Sequence, residues 1–323
     1  IAGDRDDVAG ICRYFAGKGY VTATIDYRLY DNFLFGDSTE AIDAVIKAMS
    51  DMKAAIRFLR EDAANGNQYG IDTNYIYAGG ISAGAITAAH VAYLDSNDQI
   101  DPAIMAIVAQ NGGLEGNSSS NYQYSSKVRG VINYSGALKD TSWMDPGEAI
   151  LYSAHDDGDN TVPYNSNSVI VGFGVTIFLE GSNSMTVKAN QLGLANNLYT
   201  VTNSSGHVSY VQDPQEFFVV VEQTSTLLFD DICPNSVCIS EAPANQVTIY
   251  PNPSSGQIQM RWEGVESYTV QIMDLTGKAV WRETGGASPQ QMDLSNLGTG
   301  VYLLQAVSED GQMQVRQKIS LLR

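Results

Sequence analysis

Along the 323 residues the pattern of apolar side chains changes character once, near Asp231, and this limits the chain to two differently built parts. Up to that point helical periods alternate with short β-branched runs, the signature of an α/β domain around a parallel sheet. Beyond it only runs that alternate every second residue occur, so a small antiparallel sandwich is expected. The boundary also divides the charge. Residues 1–231 carry 28 acidic and 12 basic side chains and residues 232–323 carry 8 and 6, so nearly all of the formal net charge of −18 lies in the first part. Such a field repels phosphate backbones and argues against nucleic acid as a partner. Apolar stretches are broken by Gly, Ser and Asp before they reach the ~20 residues of a membrane helix, so no span is expected. The expected division is 1–231 for the α/β domain, 232–246 for a Pro-rich linker and 247–323 for the sandwich.

Within the first part, Val8 to Lys18 reads as a helix and Tyr20 to Tyr27 as a buried strand. Thr39 to Ala64 reads as an amphipathic helix with Ile42, Val45, Ile46, Met49, Met52, Ile56 and Leu59 at helical spacing. Further strands are expected at Tyr75 to Ala78, Val128 to Tyr134, Ala149 to Ser153 and Leu198 to Thr202, which makes five in all. A closing helix runs from Pro214 to about Leu228. Asp95 to Ser126, rich in Asn, Ser and Gly, reads as a long insertion that walls a pocket or lies on the surface.

The chemistry concentrates where the strand at Tyr75 meets Gly80-Ile81-Ser82-Ala83-Gly84. A serine between glycines, after a strand and before a helix, is forced onto a tight turn with its hydroxyl exposed at the sheet's carboxyl edge. Gly80 and Gly84 are read as relieving crowding around that turn. The helix start supplies backbone donors, and the N–H of Ala83 is placed to stabilise an oxyanion. Ser82 needs a base, and His90, His155 and His207 are the three histidines. His90 lies eight residues down the helix, ~12 Å from the turn at 1.5 Å per residue, and reads as a packed helix residue. His155 ends a strand just before the loop from Asp156, and His207 sits in the loop after the last strand, both loops falling on the active edge. Asp157-Gly-Asp159 lacks the glutamate that would complete a calcium loop, so no metal and no cofactor is expected.

Ser82 in its turn, His155-x-x-x-Asp159-x-x-Val162-Pro163 and Gly206-His207 together resemble the α/β-hydrolase superfamily, in its chain order of nucleophile, acid and base. The resemblance implies Asp159 as the acid and His207 as the base, with His155 ordering the acid loop; Asp156 and Asp157 stay open as rivals for the acid. Asp26-Tyr27-Arg28-Leu29 resembles a segment of secreted carboxylesterases of the hormone-sensitive-lipase and feruloyl or acetyl-xylan esterase type, with a salt bridge expected for Arg28. Ile1-Ala-Gly-Asp-Arg5 resembles the stretch immediately after their His-Gly-Gly-Gly-Phe loop. That loop supplies the second oxyanion donor, which is expected upstream of Ile1 together with a signal peptide and the first strands of the sheet. The implied activity is hydrolysis of a small or polysaccharide-linked carboxylic ester through an acyl-enzyme. A prolyl-oligopeptidase-type peptidase and an inactive surface binding protein are the alternatives.

Val247-Thr-Ile-Tyr-Pro251-Asn252-Pro253, Asp274-Leu-Thr-Gly277, Leu297-Gly-Thr-Gly300-Val-Tyr-Leu and the final Gln317-Lys-Ile-Ser-Leu-Leu-Arg323 resemble the C-terminal sorting domain of the type IX secretion system of Bacteroidota. The resemblance implies export to the surface or beyond, with that secretion machinery as partner. A carbohydrate-binding module would instead need Trp262 and Trp281 exposed. In an oxidising compartment Cys233 and Cys238 could close a small disulfide loop, leaving Cys12 unpaired in its helix.

Overall fold

The computed structural model describes residues 4–29, 37–171, 175–233, 240–241, 247–262, 265, 267–274, 278–286, 290–309 and 313–322. Two compact units divide the chain, Ile1–Pro234 and Asn235–Arg323. Ile1, the linker positions 234–239 and 242–246 with Cys238, and the expected turn positions 275–277 and 310–312 lie outside the described residues.

The first unit contains helices α1 (Ala9–Gly17), α2 (Ser38–Ala64), α3 (Ala83–Tyr93), α4 (Pro102–Gln110), α5 (Ser182–Leu192), α6 (Ser209–Gln212) and α7 (Pro214–Ile232). Its strands are β1 (Tyr77–Ile81), β2 (Gly130–Tyr134), β3 (Ala137–Leu138), β4 (Ile150–Asp156), β5 (Ser166–Val171), β6 (Val175–Gly181) and β7 (Asn196–Val201). β1, β2, β4 and β7 form a parallel sheet in that order. Every residue of β4 is buried, as befits a central strand covered on both faces. α2 starts because Asp37 accepts the amides of Thr39 and Glu40 at 2.8 and 3.0 Å. Its Ile46, Met49, Met52 and Ile56 are buried in one cluster with Ala88 and Val91 of α3 and Val131 and Leu151 of the sheet. Each such side chain contributes about 1.5–3 kcal/mol when fully buried.

Register places the chemistry. Ile81, Tyr134, Ala154 and Tyr199 are partners across the four strands. The next residues, Ser82, Ser135, His155 and Thr200, therefore share one level at the carboxyl edge of the sheet.

Three expectations are corrected. Tyr20 to Tyr27 forms no strand, and among the described residues the parallel sheet has four strands where five were expected. The segment's β-branched residues suit a ladder, but propensity yields a strand only beside an available edge. These residues instead pack side chains: Tyr20 meets Phe15 edge-on at 5.8 Å and Ile25 joins the main core. Second, the Asp95–Ser126 insertion contains α4, which the flanking Asn, Ser and Gly disguised. Asp101 caps it through the amide of Ala103 at 2.7 Å, Pro102 occupies its first turn, and Ile104, Ile107 and Val108 are buried. Third, β5, β6 and helix α5 arise between the acid loop and β7, where no element was expected, and β5 and β6 join β3, from before β4, in an antiparallel sheet β3-β6-β5.

In the second unit β8 (Ser240–Glu241), β9 (Val247–Tyr250), β10 (Gln257–Trp262), β11 (Tyr268–Met273), β12 (Ala279–Gly286), β13 (Gln290–Asp293), β14 (Gly300–Ser308) and β15 (Met313–Leu321) make two sheets, β13-β10-β9 and β12-β11-β14-β15-β8. All pairings are antiparallel except β15 with β8. Alternate residues of both sheets face one core: Ile249, Met260 and Trp262 from the first, Val270, Ile272 and Leu304 from the second. Trp262 is thus part of the core rather than a sugar platform, and Trp281 packs against the same cluster.

Candidate active site

Ser82 joins β1 to α3 with φ 52° and ψ −115°. A residue with a Cβ held there stores on the order of 1–3 kcal/mol of strain. Both of its peptide groups are fixed: the Ser82 N–H donates to the Tyr134 carbonyl at 2.8 Å and its own carbonyl accepts the Ile86 amide at 3.0 Å. Gly80 is obligatory, because a Cβ there would stand 2.4 Å from the Gly84 carbonyl carbon and 2.8 Å from the Ala85 nitrogen. Gly84 departs from its sequence reading. A Cβ on it would meet only the Tyr27 hydroxyl, at an ordinary 3.8 Å. The N–H of Ala83, the first of α3, follows directly on the serine.

The hydroxyl of Ser82 lies 2.9 Å from Nε2 of His207, and Nδ1 of His207 lies 2.7 Å from Oδ2 of Asp159. An ionised carboxylate can only accept, so Nδ1 carries the proton and Nε2 is left bare to accept from the serine. Asp159 is almost fully buried. Burial raises its carboxyl, but hydrogen bonds from His155, from His207 and from the Thr161 amide outweigh burial and hold it well below the usual carboxylate range. His155, completely buried, points Nε2 at the Val162 carbonyl at 3.1 Å and at Asp159 at 3.2 Å. The Val162 carbonyl only accepts, so that nitrogen also carries a proton. Nδ1 of His155 is 2.7 Å from the hydroxyl of Ser182, which in turn accepts from Nδ2 of Asn133 at 2.9 Å.

The other sequence candidates have different surroundings. Asp156 and Asp157 touch no histidine ring among the described residues and bond instead to the loop that carries His207. His90 is buried between the Ile86 carbonyl, 2.7 Å from Nδ1, and the Lys139 amide, 3.2 Å from Nε2. Burial pushes its imidazole down to about 4. Arg28 makes a two-pronged ion pair with Asp51 and donates to the Ser118 hydroxyl at 2.7 Å. Of the pair read as a disulfide, Cys233 follows α7 and Cys238 is outside the described residues.

The insertion packs against α2. Buried Arg57 of α2 donates to Glu115 at 2.8 Å and to Ser119 at 2.9 Å, and Lys53 donates to the Leu114 carbonyl at 2.7 Å. Tyr122 lies over the Arg57 guanidinium at 5.1 Å. Sequence reasoning missed Asn133, Ser182, Ser204 and Ser209 as parts of the site. The two serines flanking His207 were its one visible trace; Asn133 and Ser182 left none, because their burial beside His155 depends on the fold.

Among the described residues no group of three or more His, Cys, Asp or Glu is arranged to hold a metal ion. Residues 2–157 match the BD-FAE family model. The chain carries an esterase-type α/β-hydrolase domain. Two structures of the thermophilic esterase Est2 from the Planctomycetes species Thermogutta terrifontis share its fold. The propionate-bound one has a TM-score of 0.51 at 18% identity, over 71% of this chain and 79% of that one. The native one has a TM-score of 0.50 at 18% identity, over 73% and 80%. No curated protein matches the chain. Following the hydrolase domain, residues 248–321 match the model of the secretion system C-terminal sorting domain. That tail marks the hydrolase for type IX secretion to the cell surface or the exterior. No helix among the described residues is long and apolar enough to cross a membrane.

Proposed function

We propose that the hydrolase domain cleaves carboxylic esters through an acyl-enzyme, with Ser82 as nucleophile, His207 as general base and acid, and Asp159 as the group that orients the imidazole. The observation that carries this reading is the unbroken file from the Ser82 hydroxyl through His207 to Asp159, with links of 2.9 and 2.7 Å. As the serine oxygen attacks the ester carbonyl, Nε2 of His207 takes its proton. The imidazolium so formed faces an anionic carboxylate, and Asp159 is held ionised by its donors. The carbonyl oxygen becomes an oxyanion toward which the Ala83 N–H donates; one such donor is worth about 3–4 kcal/mol. Collapse expels the alcohol, which receives the proton from Nε2, and a water activated by the same nitrogen then releases the acid. The substrate class is a small or polysaccharide-linked ester reached outside the cell.

The test is hydrolysis of p-nitrophenyl acetate and butyrate by the protein and by Ser82→Ala. Ester cleavage that survives unchanged in the variant ends the proposal.

A further inference from the structure

Hydrolysis as proposed uses Asp159 and leaves Asp156, a completely buried carboxylate at the end of β4, without a task. Its partners all belong to one short segment. Oδ1 accepts the hydroxyl of Ser204 at 2.5 Å and the hydroxyl of Ser209, and Oδ2 accepts the Ser209 amide at 3.0 Å. These two serines bracket His207, and both sides of the bracket are strained. Asn203 stands at φ 58°, and Val208, a β-branched residue, at φ 55° and ψ 38° in the left-handed region. Such a conformation persists only where its surroundings over-determine it.

The fixation is dense. Asp157 adds bonds from the amides of Asn203 and Ser204 at 2.9 and 3.1 Å, and the Gly158 amide donates to the Ser204 carbonyl at 2.8 Å. A side chain at Gly206 would be tight: a Cβ would come within 3.1 Å of the Ser209 Cβ, 3.2 Å of the Ser204 hydroxyl and 3.5 Å of Oδ1 of Asp156. The loop is therefore drawn tightly around this carboxylate, and its hydroxyl and amide partners replace the cation that a buried anion would otherwise need.

We propose that Asp156 is a positioning residue that clamps the 204–209 loop at both ends, so that the imidazole of His207 stands between Asp159 and Ser82. The kinetic part of this inference rests on the esterase reading above. A displacement of about 1 Å in a catalytic group lowers turnover by roughly 100-fold, which sets the scale for removing the clamp. Asparagine can replace it in part, because its oxygen accepts the Ser209 amide while its NH2 donates to hydroxyls that turn round to accept.

The experiment compares Asp156→Ala and Asp156→Asn with the wild-type protein and with Ser82→Ala as the floor. It measures kcat, KM, thermal melting and the imidazole Nδ1–H resonance of His207, assigned by its loss in His207→Gln. For Asp156→Ala the expected result is a roughly 100-fold fall in kcat with KM nearly unchanged, together with a displaced or lost resonance. Asp156→Asn is expected to recover most of both. A folded Asp156→Ala protein with wild-type kcat and an unmoved resonance overturns the proposal. So does an Asp156→Asn protein as slow as the alanine variant, since that assigns the effect to charge. If Asp156→Ala does not fold, Ser204→Ala and Ser209→Ala decide: a fall in kcat in either supports the clamp, and wild-type kcat in both removes it. If the wild-type protein shows no Ser82-dependent hydrolysis, the esterase reading fails and the clamp stands or falls on the resonance alone.

Discussion

The turn that carries Ser82 and the loop that carries His207 both hold strained backbone, and they hold it by different means. At Ser82 the strain is fixed by neighbours in sequence and by backbone: β1 before it, α3 after it, Gly80 beneath it and one bond to Tyr134. At Asn203 and Val208 it is fixed by side chains distant in sequence, Asp156 at the end of β4 and Asp157 just after it. A local device can be read from a motif. A device assembled across 48 residues, as in the bond from Ser204 to Asp156, cannot.

The largest expected effects remove the shared chemistry. Ser82→Ala and His207→Ala each should lower kcat by ~10⁶-fold toward the common floor, since members of such a unit fail together; activity retained without His207 would leave the loop with no catalytic purpose. The comparison sharpens at the glycines. Gly80→Ala should abolish most esterase activity, because its Cβ falls 2.4 Å from backbone, whereas Gly84→Ala, with 3.8 Å of clearance, should remain active in the same p-nitrophenyl assay. Equal losses would show that the crowding is not confined to one side of the serine.

A smaller effect separates a histidine that the chemistry uses from one that the core encloses. His90 has a folded value of about 4 against 6.5 as its ordinary value. A depressed histidine favours the fold while neutral, so its contribution is complete above pH 6.5 and is lost as pH falls from there to about 4. The loss is about 3 kcal/mol by linkage. Melting curves of wild type and His90→Gln between pH 7 and pH 4 check it: the acid-induced drop should be shallower in the variant. Asp159 acts with the same sign at lower pH. Its carboxyl is depressed, so its contribution is present above the usual carboxylate range and fades as pH drops below it. In the second unit, Trp262→Ala should cost about 3–5 kcal/mol, seen as a lowered transition of that unit with hydrolysis by the first unaffected.

Much of the fold was legible because it is written in long periods. α2, with its apolar stripe, needs no partner to be recognised, and neither do the alternating strands of the second unit. Tyr20 to Tyr27 was misread because its β-branched composition carries no information about whether a ladder edge is free. α4 was missed because nine helical residues lie between Gly-rich and Asn-rich neighbours, although Asp101-Pro102 marks its start. The site divides in the same way. Ser82 announces itself by its turn, and the spacing of His155, Asp159, Val162 and Pro163 points to one carboxylate, yet no spacing could say that Asp156 would face Ser204 and Ser209. Burial of Asn133 and Ser182 next to His155 follows from strand register and from where α5 begins, neither of which a linear reading contains.

The shared level of Ser82, Ser135, His155 and Thr200 has a consequence for how such a protein can change. Ladder register alone sets that level, and the lengths of the stretches between strands do not enter it. Residues 95–126 can lengthen, shorten or acquire new elements while the attacking oxygen stays at the same height above the sheet. Change in the length of such a stretch is thereby uncoupled from the placement of the reactive atom.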